Sequence, residues 1–581
     1  MNVETLLQQR TQDNSAVQLP GLPELLQRIY RHRGITDITQ LERKASNLLD
    51  YRSLAGIGDA LSLLYRALVE HQAITIVGDF DADGATSTAL AIRALKAMGY
   101  ANLNYIVPNR FENGYGLTPL VVEEAYKRGT NLIITVDNGI SSHEGVAVAN
   151  QYGINVIITD HHLPGEVLPA ADAIINPNLN DCRFASKSLA GVGVTFYLMS
   201  ALRAHLRQQG WFTQQGLSEP NLAEYLDLVA LGTVADVVPL DTNNRILVHQ
   251  GLNRVRAGRC CVGIKALIEV SKRDLSRLVA NDFGFALGPR LNAAGRLDDM
   301  SVSIELLLTD DMAHARELAN ELDGLNQTRR DIEAGMQQEA LVLFNKLEYG
   351  NNPLPNGLAI YHPEWHQGVV GILASRIKEQ YHRPVIAFAP AGDGILKGSG
   401  RSIQGVHMRD ALERLNTLQP GLMQKFGGHA MAAGLTLDVD KFDIFKHHFE
   451  LLMGELIQPE QLSGVVWSDG ELSRHEFCLE TAELLRESGP WGQAFPEPVF
   501  DGHFQLLQQR LVGERHLKLM LEPVCGGPML DAIMFNIDVR RWPDNSIKKA
   551  KIAFKLDVNE YRGQKNVQLM VEHIWPDWAN K

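Results

Sequence analysis

The sequence has few of the features that mark secreted or membrane proteins. Its 581 residues include only five cysteines, and no two of them are spaced as Cys-x-x-Cys. A disulfide framework or a zinc knuckle is therefore not expected. No apolar run reaches the roughly 18 residues that a membrane helix needs, and the first residues lack the basic and apolar regions of a signal peptide. We expect a cytoplasmic protein that does not enter a membrane.

Two further absences narrow the possible functions. The motif GxxxxGK[ST] is missing, so a P-loop nucleotide hydrolase is not expected. Positive charge is also scarce, because 55 Lys and Arg residues face 68 Asp and Glu residues and leave a net charge of −13. This balance argues against a protein coated in positive charge for non-specific nucleic-acid binding, although a local basic channel stays compatible with it.

Short apolar segments alternate with helical patterns in the first half of the chain. Continuous β-branched runs separated by helices predict a parallel sheet that is buried on both faces. Residues 1–60 have the pattern of short helices, and residues 190–270 are also helical in pattern. The apolar segments are AITIVG (73–78), LIITV (132–136), VIIT (156–159) and AIIN (173–176).

The second half of the chain has a different organisation. Residues 311–347 predict one long charged helix, which could bridge two lobes. A turn-rich boundary at 351–357 precedes a second α/β unit that continues to Gly434. Beyond about residue 465, alternating apolar patterns and short turns predict a small β-barrel or sandwich.

Aspartates cluster where the predicted strands end. Asp79, Asp81 and Asp83 follow the first strand, and carboxylates this close repel one another unless a divalent cation binds them. Asp137 follows the second strand directly. Ligand sites of open α/β sheets lie beyond the carboxyl ends of the strands, so we expect these side chains to meet there. The alternatives are a solvated acidic loop that caps a helix and, for Asp137, an ordinary Asp-Asn-Gly turn.

Two further segments extend this acidic set. Asp160, His161 and His162 follow the third strand, and imidazole with carboxylate is typical of Mn, Fe, Zn or Mg sites. Asp236 lies in an apolar segment, where a charge is costly unless it is paired or bound to metal; a helix C-cap or a buried salt bridge is the alternative. So many ligands indicate two ions, which can bind a phosphoryl oxygen and activate water for in-line attack. The predicted chemistry is hydrolysis of a phosphoester or phosphoanhydride.

Small-residue segments supply candidate phosphate-binding groups. Glycine lets backbone N–H groups approach a phosphate, and Arg and Ser donate to it directly. Close helix packing, which selects the same small residues, is the alternative. The segments are GPRLNAAGR (288–296), GSGRS (398–402) and GGHAMAAG (427–434), and their candidate residues are Arg290, Asn292, Arg296, Ser399, Arg401, Gly428 and His429.

The acidic motifs, in this order, resemble those of the DHH phosphoesterase superfamily. They are GDFDADG, VDNG, DHH and the segment around Asp236, and GGHAMAAG resembles the glycine-rich motif of the associated C-terminal domain. GPRLNAAGR and GSGRS are similar to signatures of the bacterial single-stranded-DNA-specific exonucleases within that superfamily. The resemblance covers the chain from about residue 70 to its end.

The resemblance implies an α/β fold with a two-lobed DHH-type phosphoesterase core that contains a parallel sheet, followed by a C-terminal β-barrel of the oligonucleotide-binding fold. The expected regions are an N-terminal helical segment (1–60), a DHH catalytic domain (61–270), connecting helices (271–350), a DHH-associated domain with the glycine-rich motif (351–460) and the oligonucleotide-binding fold (461–581).

The resemblance also implies a function. The expected activity is degradation of single-stranded DNA in the 5′→3′ direction to mononucleotides, in DNA recombination and repair, with Mn²⁺ or Mg²⁺ at a two-metal site. The expected partners are single-stranded DNA, a single-stranded-DNA-binding protein and a DNA helicase. We expect a cytoplasmic monomer.

The resemblance assigns roles by position. His162 would orient phosphate or act as an acid, and Asp137 would bridge two ions. Some superfamily members have a metal-binding histidine where this chain has Val77, a loss for which Asp79 could compensate. The expected catalytic residues are Asp81, Asp83, Asp137, His161, His162 and Asp236, and the expected metal ligands are Asp79, Asp81, Asp83, Asp137, Asp160, His161 and Asp236.

Several basic and aromatic residues are expected to contact DNA. Arg110 would hold a non-bridging phosphate oxygen, and Arg296, Ser399 and Arg401 would hold the 5′ end. Oligonucleotide-binding folds grip single strands through basic and aromatic side chains, and ordinary barrel surface is the alternative for each candidate. The candidates in the barrel are Arg515, His516, Lys518, Phe535, Arg540 and Trp542.

Two other functions stay open. One is hydrolysis of short oligonucleotides, cyclic dinucleotides or pyrophosphate, against which the terminal β region and the length of 581 residues argue. The other is a non-catalytic binding module, against which the filled acidic positions argue.

Overall fold

Helices and short strands cover most of the chain in the computed structural model, which describes residues 5–11, 17–109, 115–346, 354–561 and 563–577. The strands are β1 (Thr5–Gln9), β2 (Ile74–Val77), β3 (Leu103–Ile106), β4 (Leu132–Val136), β5 (Asn155–Thr159), β6 (Ala173–Ile175), β7 (Leu358–Tyr361), β8 (Val385–Pro390), β9 (Ile395–Arg401), β10 (Lys425–Gly428), β11 (Ala432–Asp438), β12 (Gly464–Ser468), β13 (Phe500–Val512), β14 (His516–Pro523), β15 (Leu530–Met534), β16 (Lys549–Tyr561) and β17 (Gln564–Pro576). The α-helices are α1 (Glu24–His32), α2 (Ile57–Val69), α3 (Ala82–Ala97), α4 (Pro119–Lys127), α5 (His143–Gln151), α6 (Gly191–Gln208), α7 (Trp211–Gln215), α8 (Leu226–Ala235), α9 (Thr242–Arg256), α10 (Val262–Val270), α11 (Ala280–Asp282), α12 (Gly288–Leu297), α13 (Ser301–Leu308), α14 (Met312–Lys346), α15 (Val370–Tyr381), α16 (Met408–Leu418), α17 (Phe442–Leu456) and α18 (Leu479–Glu487). A π-helix, Phe283–Leu287, joins α11 to α12.

The chain divides into two compact units. The larger unit contains Arg10–Asn326 and Asp469–Lys581, and the smaller unit contains Met1–Gln9 and Gln327–Ser468. The division falls inside α14, which confirms the long helix predicted over 311–347 and contributes residues to both units. Among the described residues, no helix combines the length and the apolar character needed to cross a membrane.

A five-stranded parallel sheet forms the centre of the larger unit. Its strand order is β3-β2-β4-β5-β6, and all neighbouring strands are parallel, which confirms the predicted sheet. The edge strand β3 overlaps the strand-like segment NYIV (104–107), which is not one of the four continuous apolar segments. Its residues alternate in exposure and include the polar Asn104, so no continuous apolar run marks it.

Helices cover both faces of this sheet, which explains the unbroken apolar runs of its inner strands. Successive residues of a strand point to opposite faces. On one face Ile74, Ile134 and Ile157 pack into the core that includes α3, α6 and α8. On the other face Ile133 and Ile158 pack against α4 and α5. The carboxyl ends of the strands stay free to carry polar residues.

Aspartate side chains start the helices that follow the sheet. Asp81 caps α3 by accepting a hydrogen bond from the backbone N–H of Gly84 at 3.0 Å. Asp241 caps α9 in the same way through the backbone N–H of Asn244 at 2.9 Å. Because Asp81 lies four residues after the end of β2, its cap places the N-terminus of α3 at the carboxyl edge of the sheet.

A closed β-barrel follows in the same unit, as the alternating patterns predict. Its strand order is β13-β14-β15-β17-β16; β15 and β17 are parallel and the other pairs are antiparallel. Phe500, Phe504 and Phe554 are fully buried within the core that fills the barrel.

The smaller unit is built on a second sheet. Its order is β10-β11-β9-β8-β7, in which only β7 and β8 are parallel. The glycine-rich segments form strands here, and β9 contains Gly398 and Gly400. A Cβ atom on Gly398 would lie 2.5 Å from the ring of Phe388, so packing within the sheet requires glycine there. The parallel pair β1 and β12 also belongs to this unit, and the short-helix pattern of residues 1–60 does not predict β1.

A buried ion pair fastens the N-terminal segment to the chain that precedes the barrel. Arg33 donates to both carboxylate oxygens of Asp469, with an Nη2 to Oδ2 distance of 2.8 Å, and both side chains are almost fully buried. His32 Nδ1 lies 2.9 Å from Asp469 Oδ1. The backbone N–H of Val499 donates to Oδ2 at 3.2 Å. The carboxylate thus joins three segments of the larger unit.

Substitution of Asp469 by Asn is expected to lower the melting temperature markedly. The change leaves the buried Arg33 guanidinium without a counter-charge, which typically costs about 3–5 kcal/mol. The matched control is Asp50→Asn, because Asp50 pairs with Arg52 in an exposed position and such pairs contribute about 0–1 kcal/mol. Thermal unfolding followed by circular dichroism measures both variants. Equal melting temperatures would contradict this role of the buried pair.

Candidate functional site

The carboxyl edge of the parallel sheet gathers the acidic motifs into one cluster. Asp137 and Asp160 follow β4 and β5 directly, and Asp236 forms the C-cap of α8. His161 Nε2 lies 3.1 Å from Asp137 Oδ1 and 3.4 Å from Asp236 Oδ2. Three overlapping groups of possible ligand atoms lie within 4.8 Å: Asp79, Asp81 and Asp137; Asp83, His161 and Asp236; Asp137, His161 and His162. Asp137 belongs to two of these groups, as a bridging ligand would.

Close backbone packing holds the first motif in place. Asp83 accepts hydrogen bonds from the backbone N–H groups of Gly191 and Val192, at 2.6 and 2.9 Å, where α6 begins. A Cβ atom on Gly191 would lie 2.6 Å from the Cβ of Asp137, so only glycine permits this approach. The start of α6 therefore fixes two of the predicted ligands at once.

The turn after β4 has a strained backbone. Asp137 has a φ of +63°, in the left-handed region that few non-glycine residues adopt. Its N–H donates to the carbonyl of Thr159 at 3.0 Å. Asn138 Nδ2 donates to the carbonyls of Val77 and Val136, each at 2.9 Å. These contacts hold the Asp137 carboxylate over the sheet edge.

Two buried carboxylate oxygens in the cluster, Asp137 Oδ1 and Asp236 Oδ2, accept no hydrogen bond within the described part of the chain. An unsatisfied buried carboxylate oxygen is costly. Both oxygens lie beside His161 Nε2, and a divalent cation placed among these atoms would satisfy them. Carboxylate oxygens suit Mg²⁺, and carboxylates with imidazole suit Mn²⁺. The residues therefore fit the predicted ions.

Repulsion between the carboxylates of the cluster also favours a bound cation. Burial, and then the charge of Asp81, raises the pKa of Asp83 to about 7 despite the hydrogen bonds from the start of α6. Burial, and then the charge of Asp83, also raises the pKa of Asp137 and of Asp236 well above the usual value. The carboxylates repel one another, and a divalent cation would relieve that repulsion.

Asp160 and His162 form a pair of their own. His162 Nδ1 lies 2.7 Å from Asp160 Oδ1, and Asp160 Oδ2 accepts from the backbone N–H of Ile140 at 2.9 Å. Burial opposes the charge on His162, but the hydrogen bond to Asp160 and the nearby carboxylates outweigh it and raise the pKa of His162 to about 9. Burial on its own would raise the pKa of Asp160. The hydrogen bonds to Asp160 have the larger effect, so its pKa lies below the usual value. The three groups of ligand atoms do not include Asp160, so metal binding by Asp160 stays a prediction, and these contacts orient His162.

Two aromatic residues of this edge carry no recognisable signal in the sequence. The ring of Tyr115 lies 5.8 Å from that of Phe80 and 6.3 Å from that of His162, edge to face in both cases. Neither type of side chain binds the expected ions, so reasoning from metal chemistry passes over both.

Two predicted phosphate ligands of the larger unit, Arg290 and Asn292, form hydrogen bonds to other protein groups. Arg290 Nε donates to Asp323 Oδ1 at 2.8 Å and its Nη1 donates to the carbonyl of Ala286. Asn292 Oδ1 accepts from the backbone N–H of Ala82 at 2.7 Å. The Asn292 contact anchors α12 against the first motif, while phosphate binding by Arg290 and Asn292 stays a prediction. Arg296 lies in the last turn of α12, and Arg110 lies outside the described residues.

Arg401 has the surroundings of an anion site within the smaller unit. Its Nε and Nη1 lie 3.2 and 3.1 Å from the hydroxyls of Ser375 and Ser399. No carboxylate of the described residues pairs with it, and burial lowers its pKa. A Cβ atom on Gly371, in the first turn of α15, would lie 3.0 Å from both Arg401 Nη2 and Ser399 Oγ. A guanidinium without a counter-charge, beside hydroxyls and a helix N-terminus, suits a phosphate.

The other candidates of this unit lie in the glycine-rich hairpin of β10 and β11. Gly428 ends β10 with a φ of +142°, and the N–H of His429 donates to the carbonyl of Ala432 at 2.7 Å. The phosphate-binding roles of Gly428 and His429 stay predictions.

The barrel candidates fall into two kinds. Lys518 pairs with Asp531, and Arg540 pairs with Asp538 at 3.0 Å. His516 and Phe535 form an edge-to-face ring contact at 5.0 Å, and Phe535 is exposed. Phe535 therefore offers an exposed ring on the candidate surface.

Acidic residues and a His-His pair gathered at one edge of a parallel sheet define a protein of the DHH type. Family profiles agree with this class. They match the N-terminal domain of the DHH family at residues 73–233, the DHHA1 domain at 355–455 and the RecJ OB domain at 468–573. The predicted DHH-type core with a parallel sheet and a C-terminal oligonucleotide-binding fold is confirmed.

Named relatives identify the branch. The single-stranded-DNA-specific exonuclease RecJ of Dickeya dadantii (strain 3937) is 66% identical over 577 residues, which cover 99% of this chain and 100% of that protein. RecJ of Escherichia coli (strain K12) is 63% identical over 576 residues, with 99% and 100% covered. The crystal structure of RecJ in complex with Mn²⁺ from Thermus thermophilus has a TM-score of 0.80 at 30% identity, covering 100% of this chain and 80% of that one. This chain belongs to the RecJ family.

Without divalent cations, the protein is expected to lose stability as pH rises. The pKa of Asp83 is raised to about 7 in the folded state, whereas an unfolded Asp titrates near about 3.9. Between these values the folded state binds more protons than the unfolded state, so stability falls as pH rises through this window. Mn²⁺ relieves the same repulsion, so it should raise the melting temperature more near about pH 8 than near about pH 5.

Differential scanning fluorimetry with EDTA or Mn²⁺ at each pH measures this dependence. The Asp137→Asn, Asp236→Asn double variant is the control, and its melting temperature should respond little to Mn²⁺. An equal response in the variant and the parent protein would place the bound cation elsewhere.

Proposed function

We propose that this chain is a metal-dependent exonuclease of the cytoplasm that degrades single-stranded DNA in the 5′→3′ direction to mononucleotides, in DNA recombination and repair. One observation carries the chemistry: the buried carboxylates of Asp137 and Asp236 converge on His161 and have oxygens that no described residue satisfies. The substrate follows from the relatives, which are named as single-stranded-DNA-specific exonucleases and match nearly the whole chain.

The metal ions are Mn²⁺ or Mg²⁺ in this proposal. The residues that would hold them are Asp79, Asp81, Asp83, Asp137, His161 and Asp236. When bound, such cations lower the pKa of water and neutralise charge on the phosphoryl oxygens. The Mn²⁺ complex of the Thermus thermophilus RecJ supports this choice of ion.

His162 has a separate role in this mechanism. Asp160 Oδ1 lies 2.7 Å from Nδ1, and this hydrogen bond favours the protonated imidazole and raises its pKa. Nε2–H is then the donor that faces the substrate, where it can bind a phosphoryl oxygen or give a proton to the leaving oxygen.

Strand binding is assigned to three groups of residues. Arg401 and Ser399, with Ser375 beside them, hold the 5′-terminal phosphate, which sets the polarity. Arg110 holds a non-bridging phosphate oxygen of the strand, and Arg296 keeps its predicted role in binding the 5′ end. His516 and Phe535 of the barrel, with Arg515, Arg540 and Trp542, grip the strand by stacking and charge.

The remaining assignments follow from the activity. A single-strand exonuclease needs a source of single strands, which a DNA helicase provides and a single-stranded-DNA-binding protein covers. We assign the DHH region to catalysis, the DHH-associated region to the 5′ end and the barrel to strand binding, in a monomer.

The Asp81→Asn variant is expected to cleave at least about a hundredfold more slowly than the parent. Mutation of residues that only hydrogen-bond to metal ligands already lowers activity by about 10- to 100-fold, so loss of a ligand should cost at least as much. Asn caps helices as well as Asp does, so α3 keeps its cap. Release of labelled nucleotide from a single strand measures the rate, and fluorescence anisotropy measures strand binding, which should stay close to that of the parent.

The matched control is Asp241→Asn, the same substitution at the N-cap of α9. Its cleavage rate should stay within about twofold of the parent rate, because surface and cap changes that keep the cap cost little. If both variants cleave at the parent rate, Asp81 is not part of the catalytic cluster.

The Arg401→Ala variant is expected to lose its preference for 5′-phosphorylated strands. Hydrogen bonds to charged groups contribute about 1.5–3 kcal/mol, so kcat/KM on a 5′-phosphorylated strand should fall by about 10- to 100-fold. On a 5′-hydroxyl strand it should change little. The control is Arg414→Ala, which removes an exposed arginine paired with Glu455 in the same unit. Equal losses on both strands would remove this role from Arg401.

A further inference from the structure

The two histidines of the acidic cluster lie in a segment that belongs to no helix or strand. β5 ends at Thr159 and β6 begins at Ala173, and His161 and His162 fall between them. In a helix or a strand, regular backbone hydrogen bonds fix the direction of each side chain. His161 and His162 have no such regular pattern, so individual contacts to their backbone must fix the direction of the two imidazoles.

Asp160 binds the backbone N–H groups of this dipeptide. Its Oδ1 accepts from the N–H of His161 at 2.7 Å and from that of His162 at 3.0 Å. The same oxygen lies 2.7 Å from His162 Nδ1. These bonds leave the two backbone carbonyls, which require partners of their own.

Two asparagines bind those carbonyls. Asn176 Nδ2 donates to the carbonyl of His162 at 2.8 Å, and Asn178 Nδ2 donates to the carbonyl of His161 at 2.6 Å. Asn176 is fully buried and Asn178 is half-buried. With the bonds to Asp160, side chains thus bind all four backbone polar groups of the dipeptide. This arrangement fixes the direction from which both imidazoles leave the backbone.

The turn after β6 presents both asparagine side chains to the dipeptide. The backbone N–H of Asp160 donates to the carbonyl of Ile175 at 3.1 Å, so the turn begins beside Asp160 at the carboxyl edge of the sheet. Asn176 Oδ1 accepts from the backbone N–H of Asn178 at 2.8 Å, which closes an Asx turn. Pro177 lies between the two asparagines and has a restricted φ. The turn is therefore a stiff support for both donors.

The chemistry of this position selects asparagine. A carboxamide donates through its nitrogen and accepts through its oxygen, and Asn176 uses both atoms. An ionised aspartate of the same shape has no hydrogen to donate to a carbonyl. It would also add a charge to an edge where carboxylates already repel one another.

We propose that Asn176 and Asn178 are positioning residues of the exonuclease, each acting through one histidine of the cluster. This inference rests on the proposed function. Asn178 holds the carbonyl of His161, whose Nε2 lies 3.1 Å from Asp137 Oδ1, and so keeps this imidazole at the predicted metal site. Asn176 holds the carbonyl of His162 and so keeps that imidazole directed at the substrate. Asn178 therefore acts on metal binding, and Asn176 acts on the rate of cleavage.

Mn²⁺ titrations of the Asn178→Ala variant test the first role. The electron paramagnetic resonance signal of free Mn²⁺ measures binding without any cleavage. Loss of a partner outside the ligand shell typically weakens metal binding by about 10- to 100-fold, so Kd for Mn²⁺ should rise by that factor. An unchanged Kd would remove this role from Asn178.

The matched control for this titration is Asn150→Ala. Asn150 Nδ2 donates to the carbonyl of Ala170 at 3.0 Å, in the same connection between β5 and β6, but Asn150 is exposed and does not bind the histidine dipeptide. Its Kd for Mn²⁺ should stay within about twofold of the parent value. A rise equal to that of Asn178→Ala would mean that any loosening of the connection weakens the metal site, and would overturn the specific role of Asn178.

Kinetics of the Asn176→Ala variant test the second role. We expect kcat to fall by about 10- to 100-fold, while KM for a long single strand stays within about twofold because the strand-binding residues are unchanged. Kd for Mn²⁺ should stay close to that of the parent. If Asn176→Ala unfolds by circular dichroism, Asn176→Ser replaces it, because a serine hydroxyl can still close the turn but is too short to reach the carbonyl of His162. The same loss of kcat is expected, and an unchanged kcat would remove this role from Asn176.

Double variants separate positioning from a general loss of structure. If Asn178 acts through His161, Asn178→Ala should not raise Kd for Mn²⁺ any further in a His161→Ala background. In the same way, Asn176→Ala should not lower kcat further in a His162→Ala background. Losses that multiply within a pair would show that the asparagine acts independently of its histidine, and would overturn its positioning role.

Failure of this inference is distinguishable from failure of the proposed function. If the parent protein binds Mn²⁺ but does not cleave single strands, the proposed exonuclease and the kinetic role of Asn176 have both failed, and the titrations still decide the role of Asn178. If the parent cleaves and both asparagine variants match it in kcat and in Kd for Mn²⁺, the exonuclease stands and the positioning roles are wrong.

Discussion

Repulsion among buried carboxylates is the constraint on which the rest of this structure depends. Asp83, Asp137 and Asp236 lie together at one sheet edge, and burial with mutual charge raises the pKa of each. A fold does not gain stability from such an arrangement, because every charge in it disfavours the others. The arrangement is useful only if something of opposite charge occupies it. Divalent cations and the phosphates they bind are therefore the natural occupants.

The surrounding fold is organised to hold this unfavourable cluster. Gly191 lets α6 approach Asp137 so closely that a larger residue would collide with it. The strained backbone of Asp137 and Val237 is held by the sheet and by α8. Asp160 uses its hydrogen bonds to orient His162. Burial of apolar side chains elsewhere in the fold offsets these local costs.

The sequence predicted the parts of this site that follow from local pattern. An apolar strand followed by aspartate locates Asp137 and Asp160, because parallel strands end at the same edge. The sequence pattern did not predict the hydrogen bond between Asp160 and His162, because that contact depends on side-chain geometry. The contact of Arg33 with Asp469 joins residues 436 positions apart, which no local pattern records. The glycine-rich segments had the right composition for phosphate loops, yet packing against Phe388 places Gly398 in a strand.

The most direct test of the account is a time course with Mn²⁺ on a long single strand labelled at its 3′ end, beside the same sequence as a blunt duplex and with EDTA as the metal-free control. The account predicts that the labelled single strand shortens progressively, only with the metal, while the duplex stays intact. Early release of labelled mononucleotide would contradict the 5′→3′ direction. Cleavage in EDTA, or none with Mn²⁺, would contradict the central role given to the acidic cluster.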